Sequence, residues 1–236
     1  MPSVAVVGAK GGCGASLVAT NLAVAFTRHG STLLVDLHNG DGTDDLLLDL
    51  RPERAWADLL PVAGELEPRQ LDLATLTHSG GLRFLAAPPQ PVPAGKDRVA
   101  LLLQVLATRL DWLVLDVPSS PSEVVEADSV LVVATPDAPA LRGAQGLLRR
   151  LPPETRSRAG LVLNQVTRAH PAHPASVASA LACPLLGVLP SDARGVGFQV
   201  SFGRPCALDP GSAFGRGTAA IARAMAGKRS SGKAAA

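Results

Sequence analysis

Val4-Ala5-Val6-Val7-Gly8-Ala9-Lys10-Gly11-Gly12-Cys13-Gly14-Ala15-Ser16 is the stretch on which the fold turns. Four apolar residues run into a glycine-rich turn, and the chain beyond Ala15 carries a helical pattern to about residue 28. Strand, glycine loop and helix in that order let backbone N–H groups turn inward around phosphate oxygens, while the helix N-terminus adds positive potential. Ser16 opens that helix and is placed to reach a Mg²⁺ ion.

Outward from this loop, short apolar runs alternate with longer helical patterns. Strands are expected near residues 4–7, 32–36, 82–86, 112–116, 129–134, 160–163 and 184–188, with helices near 15–28, 96–109, 138–150, 174–181 and 212–226. This alternation predicts an α/β fold: a single doubly wound, mostly parallel sheet of about seven strands with helices on both faces. One domain, residues 1–226, accounts for the chain, and the proline-rich segment 87–95 reads as a surface loop within it. Residues 227–236, with Lys228, Arg229 and Lys233 among Ser, Gly and Ala, are expected to form a basic, disordered tail.

Apolar residues make up 47% of the 236, yet the runs are strand-length and far short of the ~18 needed to span a bilayer. No basic region precedes the first apolar stretch, so a secretory signal is not expected and the cytoplasm is the expected compartment. Cys13, Cys183 and Cys206 form no CxxC pair, which argues against a disulfide framework or structural zinc and for small buried residues. A formal charge of +2 is too slight to predict nucleic-acid binding, and Arg149, Arg150, Arg156, Arg158 and Arg168 read as a solvated rim.

The loop departs from the ordinary GxxxxGK[ST] pattern: Ala9 stands at the first glycine and Ala15 at the lysine. It resembles instead the deviant Walker A motif, KGGxGK[ST], of the MinD/ParA group. That resemblance implies an ATP and Mg²⁺ site formed by Lys10, Gly11, Gly12, Cys13, Gly14, Ala15 and Ser16, and a homodimer in which Lys10 reaches the partner's phosphates. Without the loop lysine, binding is expected to be weakened and hydrolysis very slow or absent unless Lys10 or a partner supplies the charge. Leu33-Leu34-Val35-Asp36-Leu37-His38 resembles the family's first switch, DxD, with Asp36 in the metal-supporting role and His38 where the second carboxylate would be. Asp41, Asp44 and Asp45 follow closely as alternative acids. Trp112-Leu113-Val114-Leu115-Asp116 has the form of a Walker B strand, with Asp116 toward the metal.

By the same resemblance, Asn164, after Gly160-Leu161-Val162-Leu163, is the adenine contact, and Pro190 and Asp192 belong to the segment that closes over the base. Val133-Ala134-Thr135-Pro136-Asp137-Ala138 and Gly203-Arg204-Pro205-Cys206-Ala207-Leu208 match further family segments, so the likeness runs from about residue 3 to 226. A loop reading KGGxGA[ST] is most similar to the CpaE/TadZ branch, localisation factors for Flp/Tad pilus and secretion machinery. The expectation is therefore a positioning or scaffold protein with a degenerate site that dimerises through the nucleotide face. It would be recruited by pilus, secretion or septum proteins to a pole or the inner membrane. The receiver-like domain of many such relatives is not expected, since the glycine loop starts at residue 8. The alternative is an active MinD/ParA-type ATPase in septum-site placement or DNA partition. Against a membrane-cycling version, residues 212–226 carry only Phe214, Ile221 and Met225 as sizeable apolar side chains, too few for a firm interfacial anchor.

Overall fold

The computed structural model describes residues 3–118, 127–167, 169 and 172–233, with side chains as far as 227. Arg168 and the side chains of Lys228, Arg229 and Lys233 lie outside the described residues. In chain order the elements are β1 (Ser3–Gly8), α1 (Ala15–Phe26), β2 (Thr32–Asp36), α2 (Asp44–Leu47), a 3₁₀ segment (Trp56–Glu65), α3 (Pro68–Ala74), β3 (Leu76–Thr77), β4 (Arg83–Leu85) and α4 (Lys96–Ala107). There follow β5 (Trp112–Val117), β6 (Ser129–Ala134), α5 (Ala138–Arg150), α6 (Pro153–Ser157), β7 (Ala159–Val166), α7 (Pro174–Leu181), β8 (Leu185–Pro190), α8 (Ala193–Phe202) and α9 (Ala213–Lys233).

All but one of the strand pairings are parallel, and the sheet order is β3-β4-β2-β5-β1-β6-β7-β8. The exception is the two-residue β3, antiparallel to β4 at the sheet edge and the eighth strand beyond the seven expected. The sheet is buried on both faces, which explains why its central strands read as continuous apolar runs rather than alternating ones. Val4 and Val6 of β1, with Leu34 and Val114, face α1 and α9, where Leu22, Phe26, Phe214 and Ile221 complete one core. Ala5 and Val7, with Val35 and Leu115, face the other core, filled by Leu102 and Leu106 of α4 and Leu147 of α5.

α9 runs beyond residue 226 to Lys233, so the backbone expected to leave the fold there continues as helix. Pro190 ends β8, and Asp192, shortly after it, is the N-cap of α8. The proline-rich segment is a loop as expected, and it is docked: Asn39 donates to the Val92 carbonyl and accepts from the Val92 amide, both at 2.9 Å. This fixes it beside the loop that follows β2.

The switch in strand order falls at β1, whose neighbours β5 and β6 lead to opposite halves of the sheet. Crevices at the carboxyl ends of parallel strands around such a point are where ligands bind in open α/β sheets. The glycine loop, Asp36, Asp116, Asp137 and Asn164 all stand at that edge.

Candidate functional site

The loop between β1 and α1 is held from three sides. The Ala9 amide donates to the Val133 carbonyl at 2.8 Å, continuing the β1–β6 pairing one residue past the strand. Cys13 is buried in the core that Val4 and Val6 also line, the small-residue role expected of it. The Asn164 amide donates to the Cys13 carbonyl at 2.9 Å, tying the loop to the end of β7. Gly14 then turns into α1 at φ 85°, and a Cβ there would lie 2.5 Å from the Asn164 amide nitrogen. Only glycine satisfies both the left-handed backbone and that approach. Gly11 and Gly12, by contrast, face open space, with nothing within 4 Å of where a Cβ would stand. Closed beneath and open above, the loop forms a cradle of the kind that admits phosphate oxygens.

Lys10 lies 3.6 Å from Asp137 of its own chain. Asp137 caps α5 by accepting from the Ala140 amide at 3.0 Å and also accepts from the Thr135 hydroxyl, and these bonds, ahead of Lys10, hold its carboxyl below the usual range. Ala15 places a methyl group where the ordinary motif has its lysine.

Asp36 and Asp116 are register partners at the ends of β2 and β5, so the sheet itself brings the two carboxylates together. The His38 Nδ1 lies 2.8 Å from Asp36 Oδ1 and 3.6 Å from Asp116 Oδ2. Its imidazole is pushed up to about 9, first by the hydrogen bond with Asp36, against the opposing effect of burial, and further by the charges of Asp116, Asp36 and Asp41. At neutral pH it is therefore a cation between two acids. Asp116 is 1% exposed and pushed up to about 7 by burial; the nearby Ser16 hydroxyl works against this, Asp36 adds to it and His38 opposes it. By distance and angle, neither Asp116 side-chain oxygen completes a hydrogen bond.

Asp44 joins the group. It is fully buried, both its carboxylate oxygens lack hydrogen-bond partners, and its carboxyl is raised well above the usual range by burial and then by Asp116 and Asp36. Its backbone amide donates to Asp36 Oδ2 at 3.3 Å. Gly42 makes this crowding possible, because a Cβ there would lie 2.4 Å from the same Asp36 oxygen. Of the acids after β2, Asp44 is thus the one inside the site, while Asp45 is only partly buried and Asp41 acts on His38 through charge alone.

Asn164, Pro190 and Asp192 come together with Leu17, Ser191 and Phe214 around a pocket of about 120 Å³. Asp192 caps α8 through the Gly195 amide at 2.9 Å and accepts from the Ser212 hydroxyl at 2.7 Å. A Mg²⁺ ion with a nucleotide fits what is present. Ser16, Asp36 and Asp116 would hold the ion, and the orphaned oxygens of Asp116 are the unfilled ligand atoms such an ion satisfies. Away from the site, the Arg158 guanidinium is committed to the Ala127 and Glu154 carbonyls. Among the described residues no helix is long and apolar enough to cross a membrane.

Residues 1–169 match the family described as "Cellulose biosynthesis protein BcsQ". The septum site-determining protein MinD of Synechocystis is 26% identical over 232 residues, covering 89% of this chain and 85% of that one. Among solved structures, a ParA family ATPase from Chlorobium tepidum superposes with a TM-score of 0.84 at 23% identity, over 94% of this chain and 97% of the other. MinD of Pyrococcus horikoshii complexed with Mg-ADP gives 0.77 at 20% identity, over 95% of each. The switch-point loop, the paired carboxylates and these likenesses agree: the chain belongs to the BcsQ family of MinD/ParA-like P-loop proteins.

Proposed function

We propose that this chain is a nucleotide-binding positioning protein of the MinD/ParA type, one that holds ATP and Mg²⁺ weakly, dimerises through the loop face and hydrolyses slowly. The observation that carries this is an intact glycine cradle, open at Gly11 and Gly12, above an orphaned buried Asp116, with a methyl group at Ala15 in the lysine position. Binding elements supplied by backbone amides and the metal remain; the cation that offsets charge on the transferring phosphoryl group does not. Lys10, paired with Asp137, would leave that partner to reach across a dimer.

The similarity to MinD favours a role in placing a cell-division site over the CpaE/TadZ-like reading as a pilus or secretion scaffold. The second reading is retained on one observation: Ala15 and His38 together remove two hydrolytic elements, which suits a scaffold better than a cycling ATPase. The protein's partners and its recruitment to a pole or the inner membrane belong to this proposal. Mg-ATP titration monitored by calorimetry and light scattering tests it. Saturable binding with a shift from monomer to dimer is expected, and no binding at millimolar Mg-ATP would overturn the reading.

A further inference from the structure

We propose that Asp36, His38 and Asp116 form a site for a divalent transition-metal ion that is occupied without nucleotide and prefers first-row ions, from Mn²⁺ to Zn²⁺, over Mg²⁺.

One ligand atom from each of the three residues lies within 4.8 Å of the other two. Two atoms each about 2.1 Å from a shared ion stand about 3.0 Å apart at a right angle and about 3.4 Å apart at a tetrahedral one. The His38 Nδ1 separations of 2.8 Å and 3.6 Å bracket those values, so an ion enters by small side-chain adjustments as it displaces the Nδ1 proton to solvent. The three atoms come from adjacent parallel strands and the residue two beyond β2, so the backbone already holds them.

A second observation points to a ligand independently of the grouping. Asp116 is 1% exposed and neither of its oxygens completes a hydrogen bond, with His38 Nδ1 no nearer than 3.6 Å, and the side-chain oxygens of the wholly buried Asp44 make none either. Buried carboxylates are ordinarily hydrogen-bonded or coordinate metals, so this much unsatisfied acceptor capacity marks a place where a cation belongs.

The identity of the ion follows from the donor set. Mg²⁺ takes oxygen ligands and keeps much of its water, so in a nucleotide site it leans on phosphate oxygens for its hold. Imidazole with two carboxylates suits Mn, Fe, Co, Ni or Zn, and three protein ligands leave open positions without any phosphate being present. His38 is what changes the preference, since a carboxylate at that position would make the donor set all oxygen.

The test uses the full chain, stripped with chelator and free of nucleotide, titrated with Co²⁺, Zn²⁺ and Mg²⁺ alone. The expected result is one Co²⁺ per chain, with visible absorption of oxygen and nitrogen ligation and no thiolate charge-transfer band, and Zn²⁺ competing for the same site. His38→Ala should weaken Co²⁺ at least about tenfold. His38→Asp should shift the preference toward Mg²⁺. His38→Asn stands in if the alanine variant does not fold, judged by its circular dichroism and melting curve. A chain that binds no Co²⁺, a thiolate spectrum, or binding unchanged in the folded His38 variants would overturn the proposal. ATP plays no part in this measurement, so the metal site can fail while the nucleotide reading stands, and the reverse.

Discussion

Two buried polar regions flank α1, and they are built in opposite ways. Near its middle, Asn21 donates to Gln199 Oε1 at 2.6 Å and accepts from the Ala207 amide at 2.8 Å. Gln199 in turn donates to the Thr20 hydroxyl and the Leu47 carbonyl and accepts from the Cys206 amide. Amide side chains serve both as donors and as acceptors, so this network closes on itself. At its N-terminal end, the pocket of Asp36, Asp44 and Asp116 holds acceptors with His38 paired to two of them, and among the described residues four of its carboxylate oxygens make no hydrogen bond. The first region fixes α1, α8 and the segment after α8 as a unit. The second gathers acids whose oxygens make no hydrogen bond, and a proton or a metal ion is what balances them.

The contrast can be broken at either end. Gln199→Ala is expected to have the largest effect. It leaves the Cys206 amide and the Leu47 carbonyl without their side-chain partner and the Asn21 amide with the Leu17 carbonyl alone, in a closed interior, and should cost about 3 kcal/mol in denaturant unfolding. A loss below about 1 kcal/mol would mean that the network is not what joins α8 to α1.

Asp44→Asn should act in the opposite direction. The Asp44 carboxyl is raised in the folded state, so the native chain binds a proton there that the unfolded chain has released above the usual carboxylate range. Stability therefore falls as pH rises from about 4 toward the raised value, and removing the acid removes that slope. In chelator at pH 7 to 8 the variant should be more stable by about 1 kcal/mol, with the gain disappearing near pH 4. A variant less stable at neutral pH would show that Asp44 has a partner in solution.

The smallest effect is expected at the rim. Lys10→Ala removes a half-exposed ion pair and should leave unfolding within about 0.5 kcal/mol of the unaltered chain. Its consequence belongs to nucleotide-dependent dimerisation, which it should weaken.

Much of this was legible in the residues. β2 and β6 and helices α5 and α7 lie where their patterns place them, because buried parallel strands read as apolar runs and Pro139 and Pro174 mark helix starts. The missed elements have weak local signals. α8 carries Gly195 and Gly197, α2 and α6 are four and five residues long, and β3 has two residues. The glycine cradle could be named from its place after an apolar run, and Asp36 and Asp116 from theirs at the ends of such runs. Asp44 could not be singled out from Asp41 and Asp45, since its burial depends on how α2 folds over the ends of β2 and β5. The pairing of Lys10 with Asp137 joins residues far apart in the chain and left no local trace.

Steady-state ATP turnover by the unaltered chain, measured beside Ala15→Lys and the double variant Ala15→Lys/His38→Asp, shows whether the loop without its lysine is a poor catalyst. Turnover far below the ~1–10³ s⁻¹ of ordinary enzymes is expected for the unaltered chain, rising when the lysine is restored and again when the second carboxylate is added. Turnover within that ordinary range by the unaltered chain would contradict this expectation.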